Sequence, residues 1–277
     1  MPPSQKLTTH LLTLHSSTLK SATTHPFLAH AGTGKLPKTI LAQWLSQDRL
    51  YAQTYVRFIG LLLSKVQLPT IPTAERKKES GECSIQEKIM RVLVDALVNI
   101  QVELGFYERT AEEYGLDLNT VTPGQEGQEE EEGAFGPNEV TRGYIDMFLS
   151  SAGEKRALLE GLTVLWATEE CYLRAWRYAQ SFQSQSQSQS PSSSSSGQDA
   201  DADMDGGALR NKFIPNWASK EFEEFVVKIG CVLDEYAALE LGGDLSEKGG
   251  LEKCEGWWGE VVGLEVGFWP DVEGVEV

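Results

Sequence analysis

Three carboxylates fall on apolar helical stripes in this sequence. In the stretch 36–66, Leu41, Leu45, Ala52, Tyr55, Ile59, Leu62 and Val66 recur at steps of three, four or seven, and so share one helical face with Asp48 in its middle. In 158–179 the stripe is Leu158, Leu162, Leu165, Tyr172 and Trp176, with Glu169 filling the gap. In 257–269 it is Trp258, Val261, Val262, Phe268 and Trp269, with Glu265 in the gap. A carboxylate on an inward face leaves bulk water, which is costly unless it is hydrogen-bonded or paired. One such acid serves equally well to tie down a neighbouring helix. Three on three helices point to an interior polar site, because converging acids have shifted pKa values and such groups cluster where function is. Repulsion there favours protonating one of them unless a basic ligand intervenes. A small, polar, nitrogen-rich molecule answers that need.

The elements that carry these acids are helical throughout. Residues 4–22 read as one amphipathic helix through Leu7, Leu11, Leu14 and Leu19, followed by a turn broken by Pro26, Gly32 and Gly34. The long helix of Asp48 comes next, with Pro37 suited to its first turn. Ser84 with Glu87 fits a capping box that opens a helix to about Tyr114, ended by Gly115. Glu103 lies near the apolar stripe of that helix and reads first as a snorkelling or core-pairing residue, with a fourth inward acid as the alternative. Asn138 is placed to cap a short helix carrying Tyr144, and Ser219 to cap a later one. Residues 117–137 form an acidic loop, including the run EGQEEEEG. The Ser/Gln tract in 181–210 is too polar to offset its ordering entropy and reads as a disordered loop. The C-terminal part beyond that tract has only two helices, too little for a core of its own. The expectation is an all-α bundle of about seven helices, one domain over 1–277, with no strands.

Composition narrows the function. The 277 residues carry a net charge of -17, which argues against nucleic acid and anionic membranes as partners. Cys83, Cys171, Cys231 and Cys254 form no CxxC pair, and three of them fall in expected helices. That reads as reduced, buried thiols in a cytoplasmic, reducing setting without a disulfide framework. No apolar run reaches membrane-spanning length, and no leader pattern stands at the N-terminus. All four histidines, His10, His15, His25 and His30, lie in the first 30 residues, so no core helix can supply the Glu-x-x-His ligands of a di-iron site. No metal site, P-loop, dinucleotide fingerprint or GxSxG motif is found.

The run from His25 to Phe58 resembles the TenA/thiaminase II family (the TENA/THI-4 domain). It holds HPF at His25–Phe27, a G-x-L-P turn at Gly34–Pro37 and QD-x-x-Y at Gln47–Tyr51; E-x-x-F-W at Glu265–Trp269 is a second match. The resemblance covers most of the chain, with the two polar loops as additions. It implies a haem-oxygenase-like fold and a cofactor-independent hydrolase of thiamin-derived 4-amino-2-methylpyrimidines in thiamin salvage. By resemblance, Asp48 holds the pyrimidine amine and ring, Glu265 binds and protonates a ring nitrogen, Tyr51, Tyr144 and Trp217 line or stack on the ring, and Phe268, counted with the substrate-binding residues, supports the last helix together with Trp269. The usual family cysteine is missing from GLTVLWATEECYLRAW, where Leu165 falls near its position. Cys171 lies about 200° around the helix from Glu169 and should face away from the acids. Another branch of the family, which this fungal-type sequence fits better, places a glutamate in the pocket, and Glu169 matches it as general base. A non-catalytic pyrimidine-binding or interaction protein, and an oxidative enzyme of the same fold, stand as alternatives. Family members are often homo-oligomers, an assembly that the acidic loops could block here.

Overall fold

A computed structural model describes residues 5–70, 83–121, 135–188 and 202–272. Among the described residues the chain is all-α, with no strand. Its helices are α1 (Leu7–Thr13), α2 (Ser16–Thr23), α3 (Pro26–Thr33), α4 (Lys38–Leu63), α5 (Ile85–Tyr114), α6 (Glu139–Ser151) and α7 (Leu158–Ser188). A π-helical turn (Leu209–Phe213) runs into α8 (Ile214–Trp217), and α9 (Lys220–Glu240) and α10 (Lys248–Phe268) complete the bundle. The long α7 is the central rod and packs against α2, α3, α6, α8, α9 and α10, while α4 is flanked by α5 and α6.

The predicted caps form. Ser84 Oγ accepts from Glu87 N and Glu87 Oε2 accepts from Ser84 N at 2.9 Å, closing the capping box of α5. Asn138 Oδ1 accepts from Thr141 N at 2.8 Å, and Ser219 Oγ from Phe222 N at 3.0 Å. Gly115, at φ 62, ends α5 in the left-handed conformation that costs glycine least.

Three expectations need correction. The single helix expected over 4–22 is two helices, because His15 takes φ 52 between them and lets Leu7 and Leu11 of α1 and Leu19 and Ala22 of α2 all reach the core. The turn expected around Pro26 contains a helix: His25 Nδ1 accepts from Phe27 N at 3.2 Å and Pro26 takes the first helical position, where its missing N–H is harmless. The loop expected over 181–210 is shorter. The α7 backbone continues to Ser188, and 202–208 is docked on the α3–α4 corner. There Met204 N donates to Gly34 O at 3.0 Å and Lys38 N to Met204 O at 3.3 Å. Asp203 pairs with Arg210, and Asp205 accepts from Gly207 N and Leu209 N to cap the π turn. Gly34, at φ 72, is required here because a Cβ would collide with the Asp203 carboxylate. Residues 189–201, and 122–134 of the acidic loop, lie outside the described residues.

Aromatic rings fill the centre. Trp44 of α4 touches the rings of Phe27, Trp176, Trp217, Phe268 and Trp269 at centroid distances of 5.4–5.9 Å. Geometries are mostly tilted or edge-on, the arrangements that ring quadrupoles favour. The middle of α4 is buried on every side, from Trp44 through Asp48, so even its polar residues must find partners inside. Gln47 does so by donating to Gly136 O at 3.1 Å and accepting from Asn138 N at 2.9 Å, which ties α4 to the start of α6.

Candidate functional site

A cavity of about 260 Å³ opens between α4, α5, α7, α8 and the start of α9. Asp48 and Glu169, predicted from helical spacing, both face it, and Glu103 makes a third carboxyl group on its wall. The reading of Glu103 as a snorkelling or core-pairing residue is therefore corrected. Its oxygens accept from Trp217 Nε1 and, at 3.2 Å, from Asn216 Nδ2, so its partners belong to the site itself. The signal was weak in the sequence because Glu103 lies at the edge of the α5 stripe, and α8, which completes its surroundings, lies more than a hundred residues away.

Tyrosines hold the acids. Asp48 Oδ2 accepts from Tyr107 at 2.6 Å and from Tyr172 at 3.1 Å, and Glu169 Oε1 accepts from Tyr55 at 2.6 Å. Tyr107, Tyr172 and Tyr55 read in the sequence only as apolar-stripe or core residues; nothing local identified them as donors. Burial pushes these phenols well above their ordinary 10, so they remain protonated donors. Burial also raises Asp48 from 3.8 to about 7, with the Tyr107 bond opposing the rise and the charge of Glu103 adding to it. Glu169 is raised from 4.5 to about 7, again by burial first, against the Tyr55 bond. Near neutral pH these two groups can therefore either hold or release a proton, the condition for general acid–base work. Among the described residues, no Lys, Arg or His lines the cavity. Arg49, next to Asp48 in sequence, turns away to donate to Leu118 O at 3.1 Å and Asn119 Oδ1 at 3.0 Å.

The other predicted residues divide. Tyr51 and Trp217 line the cavity. Trp217 is clamped by the rings of Trp176 at 4.5 Å and Phe213 at 4.8 Å, the latter delivered by the π turn, a distortion that recurs at functional sites. Glu265, Tyr144 and Phe268 do not line it and form a layer behind Tyr51. Tyr144 donates to Glu265 Oε2, and both Tyr144 and Phe268 pack on the Tyr51 ring, at 5.1 and 6.0 Å. Glu265 Oε1 has no partner among the described residues. Burial raises its pKa to about 8.

Cys171 is fully buried and does not line the cavity, as its helical phase predicted. It is not remote from every acid, however: after burial, the charge of Glu265 is the next cause that raises its thiol well above the ordinary value. Thr168, one turn before Tyr172, is the α7 residue that lines the cavity and was not singled out from the sequence. The described cysteines are free, and Cys231 is exposed rather than buried, which corrects that expectation. No group of three His, Cys, Asp or Glu suited to a metal occurs among the described residues. No described helix is long and apolar enough to cross a membrane.

Comparison with known proteins agrees with this architecture. A Fusarium pseudograminearum protein named a probable transcription factor is 32% identical over 99% of this chain and 53% of its own length. A Glycine max protein named a probable bifunctional TENA-E protein is 24% identical over 57% of this chain and 57% of its own length. The chain thus spans little more than half the length of these curated relatives. Among solved structures, a TenA homologue from Pyrococcus furiosus superposes with a TM-score of 0.66 at 21% identity, covering 95% of this chain and 98% of that one. A TenA family transcription regulator from Silicibacter sp. gives 0.68 at 16% identity, covering 96% of each chain. These likenesses establish the fold. The family model described as TENA/THI-4/PQQC matches residues 14–271, and the chain belongs to that family.

Proposed function

We propose that this cavity binds a thiamin-derived 4-amino-2-methylpyrimidine and hydrolyses the bond between its 5-methylene carbon and an amine. The observation that carries the reading is the cavity wall: Asp48, Glu103 and Glu169 face one aromatic-lined space with no cation among the described lining residues. Such a space is stabilised by a ligand that brings hydrogen-bond donors or positive charge. Asp48, steadied by Tyr107 and Tyr172, accepts from the exocyclic amine. The ring packs against Trp217 and Tyr51. Glu169, held by Tyr55, takes a proton from water; the water oxygen bonds to the methylene carbon, the C–N bond breaks, and the departing nitrogen takes from Glu169 the proton that water gave up, so Glu169 ends the cycle ionised as it began. Glu265 supplies a proton to the ring only after Tyr51 turns aside, since Tyr51 stands in front of it.

The test is ammonia release from 4-amino-5-aminomethyl-2-methylpyrimidine by the wild type and by Asp48→Asn and Glu169→Gln. Removing one positioned acid–base group lowers turnover by about 10²–10⁴. Full activity in both variants sinks the proposal. A second reading, a non-catalytic pyrimidine-binding protein, draws support from the placement of Glu265 behind Tyr51. Tight binding by the wild type without ammonia release decides for it.

A further inference from the structure

Glu103 is a half-buried carboxyl group on the cavity wall that the hydrolytic scheme leaves without a task. Along α5 it stands one turn from Tyr107, the partner of Asp48, and one turn in the other direction from Asn99. Asn99 belongs both to the cavity and to a shallow groove beside it, lined by Asp95, Glu221, Glu224, Phe225 and Lys228. Glu103 therefore stands on α5 between Asn99, which the groove and the cavity share, and Tyr107, which holds Asp48. The groove is acidic. Its one cation among the described lining residues, Lys228, is already paired with Asp95.

The protein orients Glu103 and gives it no counter-charge: desolvation raises its pKa, the Trp217 and Asn216 bonds oppose the rise, and an arriving cation favours its ionised form. Trp217 Nε1 and Asn216 Nδ2 each donate one hydrogen bond, both from uncharged groups on α8. An ionised carboxylate offers about four acceptor positions, so two donors leave it capacity for another. No Lys, Arg or His pairs with it among the described residues, and its side chain is held where an arriving cation would be desolvated against aromatic walls. A charge-assisted hydrogen bond to an ammonium group is the contact that such an acid is suited to make.

We propose that Glu103 is the specificity-determining residue of this cavity, receiving a protonated amine on the ligand's side arm while Asp48 holds the ring amine. The inference rests on the aminopyrimidine reading of the site and adds which substituent the site selects. A ligand with a cationic aminomethyl-type arm is preferred over one whose arm is neutral. Neutral arms leave the carboxylate with its two protein donors only.

Stopped-flow measurement of ligand association and dissociation at pH 7, completed before turnover, tests this with three ligands that share the 4-amino-2-methylpyrimidine ring and carry 5-aminomethyl, 5-hydroxymethyl or 5-methyl arms. The wild type should bind the aminomethyl compound at least about tenfold more tightly than the other two, the scale of one charge-assisted hydrogen bond. Glu103→Gln should lose that preference and bind the two neutral ligands as the wild type does. Equal binding of all three ligands by the wild type overturns the proposal without any variant. So does a preference that survives in Glu103→Gln. If the wild type binds the neutral-arm ligands well and the aminomethyl compound no better, the aminopyrimidine site stands and the role of Glu103 falls; if it binds none of the three, both fall.

Discussion

Replacing Glu265 by Gln probes the electrostatics of the buried acids through folding rather than activity. Glu265 is 3% exposed, accepts from Tyr144 at one oxygen and has no partner for the other among the described residues. Burial pushes its pKa from 4.5 up to about 8, with the Tyr144 bond opposing the rise and the charge of Asp48 adding to it. The folded chain therefore keeps a proton that the unfolded chain gives up once pH exceeds the ordinary glutamate value. A group raised on folding contributes its full stability below its unfolded pKa, and the contribution drains away as pH climbs toward the folded one. At about 1.4 kcal/mol per pH unit, the step from pH 5 to pH 7 removes on the order of 2–3 kcal/mol through this group alone. Gln copies the shape of the protonated acid, keeps an acceptor for Tyr144 and does not titrate. Urea unfolding of both proteins at pH 5, 6 and 7 should give similar stabilities at pH 5 and a variant ahead of wild type by roughly that amount at pH 7. Parallel pH profiles, or a wild type that gains on the variant as pH rises, would refute the reasoning.

The remaining predictions concern packing. Cys171→Ala should leave ammonia release unchanged and lower stability by about 1 kcal/mol, the usual scale for a small buried deletion; loss of turnover with the fold intact would restore a thiol to the chemistry. Trp44→Ala should cost about 3–5 kcal/mol in chemical denaturation, since the ring anchors five aromatic neighbours. Val98→Ala, at a position 53% exposed on the same bundle, should stay within about 0.5 kcal/mol and serves as its control.

The all-α architecture and the inward direction of Asp48, Glu169 and Glu265 were legible in the sequence, because helical phase is a local property read at steps of three and four. So were the caps at Ser84, Asn138 and Ser219, whose partners lie three residues on. Which inward acids share one cavity was not legible. Asp48 and Glu169 face the same space because α4 and α7 both border the cavity, whereas Glu265 lies outside its lining, beyond the Tyr144 ring that packs on Tyr51, an ordering that no single helix specifies. Glu103 turned from a stripe-edge residue into part of the wall only when the π turn after Asp205 brought Asn216 and Trp217 against α5. The break at His15 and the docking of Met204 on Gly34 likewise depend on distant surfaces. Periodicity tells each helix which face to bury; burial against a particular neighbour, across a hundred residues or more, decides which buried groups can touch the same ligand.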